Sequence, residues 1–468
     1  MSSKRARFFK HTLYLLFDVF AVFGIAVLVA LVCNATIQTH LSLSNLWFPS
    51  LLIATLMPLG NLAVGLYESK VRESIRAVFR RVVISGAISF GVIFTLGYLF
   101  VNMSFPMEFV ALTIALVVVM HTLWRFWAIF HGGLNLAKRN VMIVGTGKRA
   151  AFIAQRMRRD SDREHFNLLG FLPMTSLKDV HPLIAGEEHV IPICTDDDWS
   201  STLFHCGADV IVLANDRQDP LPMTALLKQK MAGAEIVEME DFVEAELGLL
   251  EVESMRPEWL LNSSGFHFNR YGNGFINYGF NALLSLLLLF FTWPIMLLAI
   301  LAIYLEEGFK LSAPVIYRQQ RVGLDGKLFE IMKFRSMRSD AEVDGAQWAT
   351  KNDARVTRVG RVLRKYRIDE LPQLLNVLRG DMGFVGPRPE RPEFVERLEK
   401  DIPFFNYRHC VNPGLTGWAQ LKYPYGASEN DSLEKLKFDL YYIKHRSFLL
   451  DVFVLVRTVE IVLFGRGR

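Results

Sequence analysis

The chain has 468 residues, 51% of them hydrophobic, and 52 Lys and Arg against 47 Asp and Glu give it a formal net charge of +5. That length exceeds one ordinary domain, and a mean hydropathy of +0.24 excludes a soluble protein of ordinary composition. The four cysteines, Cys33, Cys194, Cys206 and Cys410, sit at neither metal-ligand nor redox spacing and read as reduced residues of a cytosol-facing protein.

The apolar excess falls in long stretches. Four open the chain, at roughly 11–33, 48–67, 82–103 and 107–130, each about long enough to cross ~30 Å of hydrocarbon as a helix. The first has a basic start but no small-residue cleavage site, so it reads as a transmembrane helix rather than a signal peptide. Lys4, Arg5, Arg7 and Lys10 precede it, and Lys70, Arg72, Arg76, Arg80 and Arg81 fill the second loop. The first and third loops have no Lys or Arg, whereas Arg125, Lys138 and Arg139 lie at or after the end of the fourth stretch. This alternation puts both ends of a four-span helical bundle, 1–135, in the cytoplasm.

Residues 136–262 read as an α/β domain of the doubly wound, Rossmann-like type. Gly145, Gly147 and Ala150 form a GxGxxA turn between a strand and a helix, the context of a dinucleotide site. The next strand ends Gly170-Phe171-Leu172-Pro173 and lacks the acidic residue that binds ribose. Two readings of the turn stay open: a structural or regulatory domain, and a nucleotide site.

A fifth apolar stretch runs over about 281–305, with Trp293-Pro294 at its midpoint. Proline removes a backbone hydrogen bond and kinks a helix. The segment after it opens with Lys310, Arg318, Arg321, Lys327, Lys333 and Arg335, which resist translocation. A re-entrant helix that leaves by the face it entered is favoured, and a spanning helix with a tolerated proline is the alternative.

The remainder, with short helical runs, reads as a mainly α domain over 270–468. Its dense polar clusters supply what phosphoryl chemistry needs: cations for phosphate oxygens, carboxylates for Mg²⁺, and a nucleophile. Asp369-Glu370 opens a helical run, and the plain reading is a helix cap with a dipole partner. Arg361, Arg364, Lys365 and Arg367 just upstream, and Arg388 in Gly386-Pro387-Arg388-Pro389, weigh against it. Arg is suited to bidentate phosphate contact. A patch for anionic lipid would explain the charge but not the fixed Pro and Gly.

Three motifs, KFRSM (Lys333–Met337), RIDELPQLLNVLRGDMGFVGPRPE (Arg367–Glu390) and PGLTGWAQ (Pro413–Gln420), resemble those of the bacterial sugar transferases, the monotopic phosphoglycosyl transferases. The Trp293-Pro294 break resembles their re-entrant helix, and the four spans with a nucleotide-fold-like domain resemble the long-form members. The resemblance implies a ping-pong transfer of hexose-1-phosphate from a UDP-sugar to undecaprenyl phosphate, releasing UMP, at the cytoplasmic face of a bacterial inner membrane. Such a step begins exopolysaccharide, capsule or O-antigen synthesis. By resemblance Asp369 is the nucleophile, Glu370 supports it and the Mg²⁺, Arg364 and Arg388 meet phosphates, and Lys333 and Arg335 orient the site. Lipid and a second copy of the chain are the other expected partners, and no nucleic acid is. The chain departs from many relatives at Arg367-Ile368, where Ser or Thr is usual before the Asp-Glu pair, and at its FGRGR end. Two other classes are carried beside this one. A membrane-bound nucleotide-sugar dehydratase or epimerase needs a Tyr-x-x-x-Lys pair, which the sequence lacks. A non-enzymatic assembly scaffold needs only lipid-binding clusters.

Overall fold

Long, mainly apolar stretches form the first helices, each of which buries one stripe and leaves another for a non-aqueous surround. The computed structural model describes residues 16–32, 43–63, 66, 75–99, 107–130, 139–156, 166–173, 180–185, 207–216, 221–253, 265–266, 272–306, 314–338, 341, 353–423 and 428–463. Expectations resting on Lys4, Arg5, Arg7, Lys10, Lys70, Arg72, Lys138, Lys310 and the FGRGR end lie outside them. The chain divides into two compact units, Met1–Met239 and Glu240–Arg468.

In the first unit, α1 (Leu16–Val32), α2 (Leu43–Ala63), α3 (Ile75–Leu99) and α4 (Met107–Phe130) pack around Val22, Ala26, Ile53, Met57, Ile93 and Val117. Large apolar residues such as Phe20, Leu28, Trp47, Phe94 and Leu123 are exposed on the outside. An apolar exterior around an apolar core suits lipid contact. One of these four helices, over Met107–Trp127, is long and apolar enough to cross a membrane, while Leu16–Val32 and Arg81–Gly97 are shorter apolar helices. Asn61 Nδ2 lies 3.0 Å from His121 Nδ1, and Asp18 lies 3.7 Å from His121 and 3.8 Å from Arg125, which ties α1, α2 and α4 together.

The same unit holds β1 (Arg139–Val144), α5 (Lys148–Arg156), β2 (Phe166–Leu172), α6 (Pro182–Ala185), β3 (Val210–Leu213), α7 (Met223–Met231) and β4 (Glu235–Glu238). The strands pair in parallel in the order β2-β1-β3-β4. Met142, Val144, Ile211 and Leu213 bury one face against Ala225 and Leu226 of α7.

The second unit opens earlier than the expected boundary at 262. Helix α8 (Met239–Leu247) and the residues to Glu253 pack on the C-terminal part of the chain, not as the close of the α/β domain. Trp418 Nε1 donates to Gly248 O at 2.8 Å, Leu250 N to Lys437 O at 2.9 Å, and Lys444 Nζ lies 2.7 Å from Glu244. Buried charges require such partners.

Helix α9 (Gly272–Glu306) is helical through Pro294. Within it Thr292 Oγ1 donates to Leu288 O at 2.6 Å, a back-bond that bends helices. Its two arms are anchored separately. In the first, Tyr278 OH donates to Leu378 O and Ser285 Oγ to Leu374 O, at 2.9 and 2.7 Å. In the second, Ala299 and Ile303 bury with Phe334 and Leu363, and Glu306 accepts from Val359 N at 3.0 Å. Between them Phe290, Phe291, Trp293, Leu297 and Leu298 are exposed.

The domain expected to be mainly α also contains strands. β5 (Ile316–Val322) and β6 (Leu328–Phe334) form an antiparallel hairpin with Tyr317 opposite Lys333. Then come α10 (Arg358–Lys365), a 3₁₀ turn (Ile368–Gln373), α11 (Leu374–Arg379), β7 (Gly383–Val385), α12 (Pro392–Asp401), a second 3₁₀ turn (Phe405–Cys410) and β8 (Gly414–Thr416). The chain closes with α13 (Trp418–Lys422), α14 (Glu429–His445) and α15 (Phe448–Leu463). β7 and β8 pair in parallel. A Cβ on Gly414 would lie 2.1 Å from Gly386 N and one on Gly417 2.2 Å from Gly386 O, so the GFVG and PGLTG motifs are a single contact of two backbones.

Candidate active site

The site is built where the second unit's motifs converge. Asn376 of α11 accepts from Met332 N at 3.0 Å and donates to Glu330 O at 2.7 Å, which fastens β6 and so places Lys333. Gly360 lets α10 approach Ser336, whose carbonyl a Cβ there would strike. Ser336 Oγ then accepts from Arg364 Nε at 3.0 Å, joining KFRSM to the arginine-rich helix. Arg367 follows with φ +57°, a left-handed conformation sparsely populated by side-chain-bearing residues. This turn sends Asp369 and Glu370 into the 3₁₀ segment.

Asp369 is not a helix cap. Arg367 holds the cap position of that segment, with no side-chain cap bond, and Asp369 sits inside it. The two adjacent carboxylates have opposite environments. Glu370 accepts from Arg367 NH1 at 2.8 Å and from Arg388 NH2 at 3.0 Å. Burial alone would push its carboxyl up, but Arg388, Lys333 and Arg367 outweigh burial and hold it well below the usual range. Asp369 is 9% exposed, and burial followed by the Glu370 charge pushes its carboxyl up, against Lys333, Arg364 and Arg388. Among the described residues neither the Asp369 carboxylate nor the Lys333 ammonium takes part in a hydrogen bond or ion pair. Burial, with Arg388 adding, pushes Lys333 down to about 8, against the pull of Glu370. Adjacent groups pushed apart in this way are suited to different tasks.

Five of the expected residues therefore converge: Asp369, Glu370, Lys333, Arg364 and Arg388. Arg335 is held through its backbone, N–H to Val315 O at 2.8 Å, and is not among the charges acting most strongly on either carboxylate. Trp293 lies on the exposed part of α9. Gly145, Gly147 and Ala150 belong to the other unit. There a Cβ on Gly147 would run into the Asp216 carboxylate, which also accepts from Lys148 N at 3.2 Å. The N-terminus of α5 is thus already served by an anion of the chain itself, where a nucleotide phosphate would bind.

Sequence reasoning missed the supports of the Pro-Arg-Pro turn. Arg321 donates to Pro389 O at 3.0 Å and Arg408 to Arg388 O at 2.9 Å. Arg408 also pairs with Asp439 at 3.0 Å. Partners so far apart in sequence leave no local spacing to read, although Asp439 stands in the tyrosine-rich DLYYIKHRS cluster.

For a metal, the described residues hold no group of three or more His, Cys, Asp or Glu arranged as ligands. Mg²⁺ commonly takes one or two carboxylates and completes its shell with water and substrate phosphate, so the Asp369-Glu370 pair fits that ion.

The sequence model described as bacterial sugar transferase matches residues 272–465. A UDP-N-acetylgalactosamine-undecaprenyl-phosphate N-acetylgalactosaminephosphotransferase of Aeromonas hydrophila is 46% identical over 193 residues, 41% of this chain and 45% of that protein. A UDP-glucose:undecaprenyl-phosphate glucose-1-phosphate transferase of Escherichia coli (strain K12) is 42% identical over 180 residues, 38% of each. The chain thus spans less than half the length of these two relatives. The uncharacterized sugar transferase EpsL of Bacillus subtilis (strain 168) is 41% identical over 159 residues, 34% of this chain and 74% of that protein. With the three motifs assembled around one carboxylate pair and these matches across the same unit, the chain belongs to the bacterial sugar transferase family.

Proposed function

We propose that the second unit transfers a hexose-1-phosphate from a UDP-sugar to undecaprenyl phosphate. The observation that carries this is the contrast at the dyad: Asp369 is buried and uncommitted among the described residues, while its neighbour Glu370 is locked by Arg367 and Arg388. An uncommitted carboxylate beside several cations is what attack on a phosphate requires. An Asp369 oxygen attacks the β-phosphorus of the donor, the bond from phosphorus to the bridging oxygen breaks, and UMP leaves with that oxygen. The aspartyl-phosphosugar is then attacked at the same phosphorus by an oxygen of the carrier's phosphate. The Asp369 carboxylate is regenerated and undecaprenyl-diphosphate-sugar is released.

Arg388 and Lys333 hold donor phosphate oxygens, and Arg364 meets the carrier's phosphate. Glu370 stays ionised and keeps Arg388 and Arg367 in place. Mg²⁺, held by Asp369 and Glu370, would neutralise phosphate charge. Both arms of α9 pack on residues 359–384 while its middle is exposed, which supports a re-entrant anchor that brings lipid-borne and soluble substrates to one interface. On this reading the site lies at the cytoplasmic face of the inner membrane. The relatives' names divide between UDP-N-acetylgalactosamine and UDP-glucose, so both belong in the donor panel.

The test is UMP release by the purified chain with Mg²⁺, undecaprenyl phosphate and that panel. Wild type is expected to release UMP with one donor, and Asp369→Asn to lose at least about 10³-fold. Release of UDP instead of UMP would overturn the reading.

A further inference from the structure

The turn Gly386-Pro387-Arg388-Pro389 presents the guanidinium that locks Glu370; around it Gly386 N donates to Thr416 O and Pro387 O accepts from Gly414 N, both at 2.9 Å, and Pro389 O accepts from Arg321 at 3.0 Å. Two of its four residues are prolines without an N–H, so its position depends on what its carbonyls accept. The Arg388 carbonyl itself is served by a buried charge from far away. Arg408, in the second 3₁₀ turn, donates through NH2 to Arg388 O at 2.9 Å and to Asp439 Oδ2 at 3.0 Å. The side chains of Arg408 and Asp439 are 7% and 3% exposed. The guanidinium also lies 5.0 Å over the Phe405 ring.

A buried ion pair is costly to desolvate, and an apolar pair of similar volume often stabilises a protein more. Packing alone therefore does not account for it. One α14 turn further on, the Tyr442 hydroxyl lies 3.3 Å from Val385 O, just before the same turn. α14 thus backs the Val385–Arg388 backbone at two points.

We propose that Arg408 and Asp439 are a positioning pair that sets the Arg388 backbone, and through it the guanidinium that meets the donor's phosphates. The phosphate role rests on the reaction proposed above. Asp439 faces Arg408 from the second 3₁₀ turn, Glu390 from the segment before α12, and Lys435 from its own helix. Burial pushes its carboxyl up to about 6, against Arg408 and with Glu390 adding. Below about pH 6 the pair loses its negative partner, and Arg408 is no longer held against the Arg388 carbonyl.

The experiment uses the full chain with Arg408→Lys, Asp439→Asn and Arg388→Ala. Arg408→Lys keeps the charge but not the planar guanidinium whose NH2 reaches both acceptors while the group lies over the Phe405 ring. Arg408→Lys, which keeps the charge, should keep a wild-type-like melting temperature, whereas Asp439→Asn strands the buried guanidinium and should melt lower; both should lose about tenfold to a hundredfold in kcat/KM for the donor, with a raised KM. The fall of kcat/KM below pH 6 should flatten in Asp439→Asn. UDP binding by calorimetry gives a second readout. Arg388→Ala and Arg408→Lys should weaken it to similar extents and be non-additive together, because they act as one unit. Unchanged kcat/KM in Arg408→Lys, or additive losses of UDP affinity, would overturn the proposal. Wild type that releases no UMP would overturn the reaction, while the UDP cycle still decides on the pair.

Discussion

A carboxyl can be placed where its charge is a burden. The Tyr442 hydroxyl lies 2.6 Å from Asp451 Oδ1, and burial pushes the Asp451 carboxyl up from 3.8 to about 6, against that hydrogen bond and Arg446. With the folded value above the unfolded one, the folded chain binds more protons between about pH 4 and 6. Its stability therefore falls as pH rises through that window. Asp451→Asn copies the neutral form. It should be more stable than wild type by about 1–3 kcal/mol at pH 7.5, with the gain gone below about pH 4. Melting curves at the two pH values check this, and a loss at pH 7.5 would mean that the charge is needed. Single residues were legible where chemistry repeats in a short motif. Asp369, Glu370 and Arg388 stand out because carboxylates and arginines crowd within about twenty positions. Arg408, Asp439, Arg321 and Asn376 did not, because each works through a partner on another element.

Elements were legible when their pattern was unbroken. The parallel strands of the first unit fall on apolar runs, β1 just before a glycine turn and β3 and β4 just after glycines, and the proline-centred helix falls where the longest apolar stretch lies. The β5–β6 hairpin was not, because its strands are rich in Arg, Gln and Lys, and alternation is hidden when both faces are half-polar. The proline-containing helix also carries a prediction. If α9 re-enters, residues on both sides of it share the cytoplasm, and Cys410, which is exposed, is a ready reporter. In a chain with Cys33, Cys194 and Cys206 changed to Ser, a membrane-impermeant maleimide should label Cys410 in inverted vesicles and not in intact spheroplasts. The thiol is pushed up by burial and by Asp325, so labelling belongs at pH 8. Labelling in intact spheroplasts would mean that the helix spans.

At the scale of the whole molecule, the family match begins at residue 272, but the compact unit begins at Glu240. The intervening segment fills polar needs of the catalytic part. Lys437, with its side chain 1% exposed, is surrounded by Glu251 at 3.2 Å, Glu253 at 3.0 Å and Glu434 at 3.1 Å, and two of these three come from the segment. Glu244 meets both Lys444 and His445, and Gly248 O takes the indole N–H of Trp418 in PGLTGWAQ. Removing one side of buried pairs leaves the other charged and dry, which costs about 3–5 kcal/mol for each fully buried case. A chain starting at Glu240 should therefore give UMP release and melting close to those of the full chain. One starting at Gly272 should melt far lower. The separate variant Lys437→Met within the Gly272 chain should recover part of the loss, because it removes an ammonium left with Glu434 as its one remaining partner of the three. Equal melting of the Glu240 and Gly272 chains would mean that residues 240–253 are a passive link. Recovery by Lys437→Met would instead identify them as the polar lining of the catalytic unit, supplied from outside the region that family resemblance delimits.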